Sequence, residues 1–363
     1  MNHSPGRFAQ LDTLRAFAVG IVMIHHFRDK PFIFSGFGSV LFLVLSGYFA
    51  TKTLIRLRGE MGRGDSEGGL ALKSFYFQRC LRLFPLYYLV LFLTLLLGVK
   101  YAHTCFWWNA LFLSNFKILL TGEWDGRFSP LWSLSLLEQF YLIWPALMLF
   151  SPRNRLVPLA VGIILIAPVY RLVCLGCHWG PIAWSVAPFA SLDQLGSGAL
   201  LALCTSNIAS RALREALLGI AGKICVPLFA LIMVCKGWQV SLPGCAIYIN
   251  LVASLAFIWI IHKAEIGFEG RARLVMENPL LGYIGRISYS IFLLHSFSEL
   301  FVPHVGVFKH LMHSDLRAYV LIPVSLLLAH CAYQFIEYPI QCFRKKHLST
   351  TKPEPILGSL VTG

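Results

Sequence analysis

An arginine followed eleven residues later by a histidine stands in LDTLRAFAVGIVMIHHF, Leu11 to Phe27. On a helix of about 100° and 1.5 Å per residue, that spacing is three turns plus roughly 20°, so Arg15 and His26 share a face about 16 Å apart. His25 points about 100° away from that face. A charge at bilayer depth costs on the order of 3 kcal/mol, so ionisable residues in an apolar segment call for an explanation. The plain one is that Arg15 snorkels to headgroups while the histidines sit at the opposite interface. A second pair, Arg79 and Arg82 in FYFQRCLRLFPLYYL, is spaced i and i+3 and shares a face. Guanidinium groups so placed suit phosphate, although cations at a cytoplasmic helix end are also what membrane topology requires. Glu138 lies six residues past Trp132 in WSLSLLEQFYLIWP, where a carboxylate is either a protonated donor or the orienter of a histidine. His295, in GRISYSIFLLHSF, is either a satisfied core residue or a member of the same group. Imidazole with a nearby carboxylate is suited to general base catalysis on a hydroxyl, and the arginines to a phosphate-bearing substrate.

These side chains need membrane-crossing helices to hold them. Of 363 residues 57% are hydrophobic and 13% charged, with mean hydropathy +0.67, where a soluble domain carries roughly a quarter charged residues. The chain therefore reads as an all-α, polytopic membrane bundle. Runs of spanning length lie at 11–28, 38–57, 79–99, 132–150, 156–174, 188–205, 216–235, 245–262, 283–300 and 317–337. They predict ten transmembrane helices in one domain over 1–348, no fused soluble domain, and a disordered tail over 349–363. The first run holds Arg15, His25 and His26, unlike the clean core of a cleaved signal peptide, and is expected to be retained.

Ten spans put both termini on one side. With the termini inside, the inner connections carry eighteen Lys and Arg and the outer ones nine, a two-to-one bias that predicts cytoplasmic termini. The same bias accounts for most of the net charge of +14, so the expected partner is the bilayer and not nucleic acid. The ten cysteines lie mostly within apolar runs, which argues against a disulfide framework or zinc cluster, and the lone CxxC of Cys174 and Cys177 is a weak motif. Of the two long connections, 57–78 is inner and mixed in charge. The other, 100–131, is outer and holds Phe106, Trp107, Trp108, Trp124, Asp125 and Arg127. Its rings suit either sugar stacking or an interfacial belt.

Five motifs now stand in order: Arg and His in the first run, LFLVLSGYF, FYFQRCLRLFPLYY, WSLSLLEQFYLIWP, and RISYSIFLLH followed by FIEYPI. Together they resemble the acyltransferase 3 family of integral membrane proteins, from Leu11 to Pro339. The resemblance implies a ten-helix enzyme of the bacterial inner membrane that moves an acyl group, most often acetyl, from cytoplasmic acyl-CoA to an acceptor hydroxyl, frequently of a cell-surface carbohydrate. The family's Arg and His pair lands on Arg15 and His26, its third-span arginines on Arg79 and Arg82, and its glutamate on Glu138. Two departures stand out: Leu137 precedes Glu138 where the family often has a second acid, and Gly38, Ser39, Val40 and Leu41 replace a segment that often carries aspartate.

The expectation is thus an O-acyltransferase with no tightly bound cofactor and no metal. Acyl-CoA is the donor, its phosphates against Arg15, Arg79 and Arg82. The thioester lies near His26, which deprotonates the acceptor or carries the acyl group itself, while Glu138 orients His26 and His295 completes the group. The acceptor is a carbohydrate or lipid-linked glycan. Two alternatives are acylation of a small diffusible molecule such as a macrolide or peptide, and a transporter or flippase whose charges line a path. The latter would favour repeated halves, and no internal repeat is evident.

Overall fold

Long apolar runs must satisfy their backbone groups internally, and the chain does so with helices. The computed structural model describes residues 5–28, 33–64, 67–206, 208–239, 244–302 and 316–348, and among these no strand occurs. The expected tail over 349–363 lies outside the described residues. The helices are α1 (Pro5–Phe27), α2 (Phe37–Gly62), α3 (Gly68–Leu96), α4 (Ala102–Ala110), α5 (Ser114–Thr121) and α6 (Trp132–Phe150). Next come α7 (Leu156–Gly176), α8 (Pro181–Val186), α9 (Leu192–Cys204), α10 (Arg211–Ile220), α11 (Val226–Gly237) and α12 (Cys245–Ile266). The last are α13 (Gly270–Met276), α14 (Pro279–Arg286), α15 (Ser288–Leu294), α16 (Arg317–Ala332) and α17 (Tyr338–Leu348). Single π-helical turns at Ala221–Cys225 and Tyr333–Glu337 join α10 to α11 and α16 to α17.

Among the described residues, seven helical segments are long and apolar enough to cross a membrane: 37–62, 68–96, 126–150, 153–176, 211–237, 247–266 and 317–343. The first and third are central, with 61% of the apolar window buried, whereas 68–96, 153–176, 211–237 and 317–343 bury 33% or less. Their outward faces carry side chains such as Phe92, Leu96, Leu165, Leu172, Leu231 and Leu327, an apolar belt suited to lipid.

Of the other three expected spans, α1 is continuous over 23 residues but is not among the seven. The runs 188–205 and 283–300 are not continuous α-helices, contrary to the hydropathy reading. The first is a 3₁₀ turn, Pro188–Ser191, followed by α9 of 13 residues. That is about 20 Å of helix, short of a hydrocarbon core of roughly 30 Å. Every residue from Asp193 to Cys204 is buried, so α9 is enclosed by protein instead of lipid. The second run breaks at Ile287 (φ −91°, ψ 10°) between α14 and α15 and passes into a 3₁₀ segment at His295–Phe301.

Close helix approach positions the rest. A Cβ on Gly47 of α2 would stand 2.1 Å from the Leu195 carbonyl oxygen, and one on Gly198 of α9 would stand 2.0 Å from that of Val44. Only glycine lets these two backbones meet, the small-residue packing used inside membranes. On the other side of α1, a Cβ on Gly285 would meet the Asp12 carbonyl oxygen at 1.8 Å, which seats α14 against the segment carrying Arg15. Three apolar clusters fill the space: one among α1, α3, α15 and α16, one among α2, α3, α6, α7 and α9, and one among α1, α2, α9 and α12.

Candidate active site

The three arginines singled out in the sequence line one cavity of about 160 Å³, together with Phe42, Phe49, Tyr141 and Tyr289. Arg15 donates from Nη1 to Asp12 Oδ1 at 3.0 Å, one turn back on α1, and its guanidinium stands 4.3 Å from the centre of the Phe49 ring. Arg79 donates from Nε to Glu138 Oε1 at 3.3 Å and lies 3.2 Å from the Tyr141 ring centre. Arg82 is exposed and, among the described residues, forms no ion pair. Two guanidinium groups are thus each held by a carboxylate and an aromatic face, and the third is not. Because α3 begins at Gly68 and not near Arg79, the arginine pair sits about 16 Å into the helix. The sequence reading had placed it at the helix end.

That longer helix also relocates Glu138. Expected in the histidine half as the orienter of His26, it is the ion-pair partner of Arg79 at the arginine cavity. His26 takes its orientation from its own helix: Nδ1 lies 2.9 Å from the Val22 carbonyl oxygen. A carbonyl only accepts, so Nδ1 carries the proton in neutral His26 and Nε2 presents a lone pair. That is the tautomer a general base needs.

His26 faces open space at the other end of the bundle. Two adjoining lobes of about 500 and 610 Å³ share His26, Trp124, Gly126 and Pro130 as walls. His295 is brought to His26, with ring centres 4.9 Å apart and edge to face. It is fully buried, with Nδ1 2.6 Å from the Phe292 carbonyl oxygen and Nε2 3.2 Å from the Ser296 hydroxyl. Both of its nitrogens are thus engaged, and its ring packs edge to face with that of His26. His25 also lines the larger lobe, but its Nδ1 is 2.7 Å from the Ser35 hydroxyl.

The arginine cavity and the histidine lobes are one helical turn apart. Leu137 of α6 and Tyr289 of α15 line the former, while Ser133 and Phe292, four and three residues away on the same helices, line the latter. Such separations are about 5 to 6 Å along an axis. Between the two spaces Phe42, from the arginine side, stacks on Phe292, from the histidine side, with ring centres 5.6 Å apart and planes 9° apart. The bundle therefore holds neighbouring cavities with an aromatic layer between them.

The sequence reading missed Asp12, Phe49 and Tyr141 as holders of the arginines, and the Phe42 and Phe292 layer. Asp12 alone had a local signal, lying i−3 from Arg15. The other contacts join different helices. Glu337 of the FIEYPI motif proves to be an acceptor for the Ser290 hydroxyl, tying α15 to the end of α16. Of the aromatic connection 100–131, Lys100, Tyr101, Trp124, Gly126, Arg127, Ser129 and Pro130 reach the lobes, whereas Phe106, Trp107 and Trp108 do not line them.

Comparison with known proteins identifies the family. The sequence model of a family described as an acyltransferase domain matches residues 8–332. The chain belongs to the acyltransferase 3 family. It is 25% identical over 363 residues to the peptidoglycan O-acetyltransferase OatA of Listeria monocytogenes, a match covering 91% of this chain and 55% of that protein. It is 26% identical over 362 residues to YrhL of Bacillus subtilis, named a putative peptidoglycan O-acetyltransferase, covering 91% of this chain and 54% of the relative. A putative O-acetyltransferase of Staphylococcus aureus is 24% identical over 390 residues, covering 98% and 59%. The chain thus spans little more than half the length of these relatives. No solved structure matches it.

Proposed function

We propose that this chain transfers an acyl group, acetyl in the first instance, from an acyl-CoA bound at the arginine cavity to a carbohydrate hydroxyl held at the histidine lobes. The observation that carries the reading is the pair of neighbouring spaces. Three guanidinium groups line one, an imidazole with a basic Nε2 lines the other, and an aromatic layer stands between them. Arg82, supported by Arg15 and Arg79, takes the phosphates of the donor. The pantetheine arm runs between α2, α6 and α15 past Phe42 and Phe292, and the thioester arrives beside His26. His26 Nε2 accepts the proton of the acceptor hydroxyl as its oxygen attacks the thioester carbonyl. The tetrahedral adduct then expels the sulfur, which receives that proton from His26. The products are an ester and free CoA, and the imidazole is neutral again.

The acetyl group and the carbohydrate acceptor are supported by the names of the relatives from Listeria and Bacillus, which are O-acetyltransferases of peptidoglycan by name. In the same reading ten segments cross the bacterial inner membrane, counting α1, the enclosed α9 region and the broken segment 279–301 with the seven long helices. Both termini are cytoplasmic, which puts the arginine cavity toward the cytoplasm and the histidine lobes outside. The test is transfer of labelled acetyl from acetyl-CoA to glycan by membranes containing the chain. Label found in ester linkage to the glycan and abolished by His26→Ala supports the reading, and hydrolysis or uptake without ester formation contradicts it.

A further inference from the structure

The smaller histidine lobe, about 500 Å³, is of a size that takes a disaccharide-sized ligand, and its described lining is basic. Lys100, Arg127 and Arg317 line it against one carboxylate, that of Glu299. Among the described lining residues the balance is two positive charges with histidine neutral. Glu299 Oε2 accepts from Arg127 Nη2 at 3.0 Å and stands 3.5 Å from Arg317 Nη2. One carboxylate thereby stands between two guanidinium forks. The Nε of Arg127 is buried with no hydrogen-bond partner, a donor left over in a site of low dielectric where an unpaired group is costly.

The aromatic wall is held in place too. Tyr101 adopts a left-handed backbone, φ 71°, rare for an aromatic residue and characteristic of functional sites. Its ring lies where a Cβ on Gly126 would touch it at 3.4 Å, and Lys100 Nζ stands 4.8 Å from that ring's centre. Trp124 forms the neighbouring wall and is 48% exposed. Flat rings beside cations, with His26 on the same lobe, suit a sugar that carries a negative group.

We propose that this lobe is an acceptor subsite selective for an anionic glycan: a sugar bearing a carboxylate or phosphate that Arg127 and Arg317 grip, stacked on Tyr101 and Trp124 with a free hydroxyl turned to His26. The proposal rests on the acyl-transfer reading for the role of His26, and its test does not depend on turnover. The full chain in lipid nanodiscs is titrated with three probes: a neutral N-acetylglucosamine disaccharide, the same disaccharide with a lactyl carboxylate on one ring, and its 1-phosphate. At least one anionic probe should bind roughly tenfold more tightly than the neutral one, the scale of a charge-assisted hydrogen bond. Which of the two does so tells carboxylate from phosphate.

Arg127→Gln should bring that ratio toward one. Glu299→Gln, which removes the internal competitor, should tighten anionic binding by about threefold, the scale of a partly exposed ion pair, and a gain of affinity cannot come from misfolding. Equal affinity for all three probes in the wild type, or a ratio unmoved by both substitutions, would overturn the subsite. Selective binding without acetyl transfer to the bound probe would instead overturn the acyl-transfer reading and leave the subsite standing.

Discussion

The two neighbouring spaces are built differently. The arginine cavity is small and made of side chains from the long helices α1, α2, α3 and α6 with α15, and two of its cations are held against a carboxylate and a ring. The histidine lobes are three to four times larger. They draw on helix ends, the 3₁₀ segments Gly126–Leu131 and His295–Phe301, and a strained Tyr101. In the proposed reading a fixed donor takes one rigid grip, which helices give, and a bulky acceptor takes a roomy mouth, which loops over a rigid scaffold give.

The largest effect expected on this contrast is at the histidine end. His26→Ala should lower kcat by 10² to about 10⁴, the range of a positioned general base, while His25→Ala, whose ring is tied to Ser35, keeps most of its activity. Equal losses in the two variants at matched expression would remove His26 from its role. At the arginine end the effect should fall on the donor alone: Arg82→Ala raises KM for acyl-CoA by roughly tenfold, with the acceptor KM unmoved. Arg82→Lys restores part of it, because an ammonium lacks the planar fork. A change confined to the acceptor KM would move the donor site elsewhere.

Glu138 sharpens the comparison, since sequence and structure assign it to opposite ends. Held by Arg79 at 3.3 Å, it positions a cation on the proposed donor side. Glu138→Gln should therefore raise the donor KM by up to about fivefold, the scale of a partly exposed ion pair, and leave the pH dependence of kcat as in the wild type. A shifted kcat profile with unchanged donor KM would return Glu138 to His26. The smallest effect separates two tryptophans of one loop. Trp124→Ala should raise the acceptor KM by about threefold, the worth of one aromatic contact, and Trp107→Ala, 70% exposed and away from the lobes, should not change it.

What was legible in the sequence follows the same division. Arg15 and His26 belong to one helix, and helical periodicity alone fixes their face and separation. Arg79 and Arg82 were equally readable as a pair. Glu138 was readable as a site residue but not in its pairing, because the slide of α6 against α3 is set by packing, and α3 starts eleven residues before Arg79. Hydropathy also reported 188–205 and 283–300 as spans like the rest. It measures apolar content and cannot see that α9 is enclosed by protein or that Ile287 breaks the later helix. Least legible was the basic lining of the smaller lobe, where Arg127 and Glu299 lie 172 residues apart and no local pattern links them.

The central claim is that donor and acceptor enter the two spaces from opposite faces of the membrane. Sealed inside-out vesicles test it most directly, with acetyl-CoA added to the exposed cytoplasmic face and an impermeant glycan acceptor placed either in the lumen or in the external medium. The account predicts acetylation of the lumenal acceptor only. Acetylation of the external acceptor with none in the lumen would contradict it and place the chemistry of His26 on the same face as the arginines.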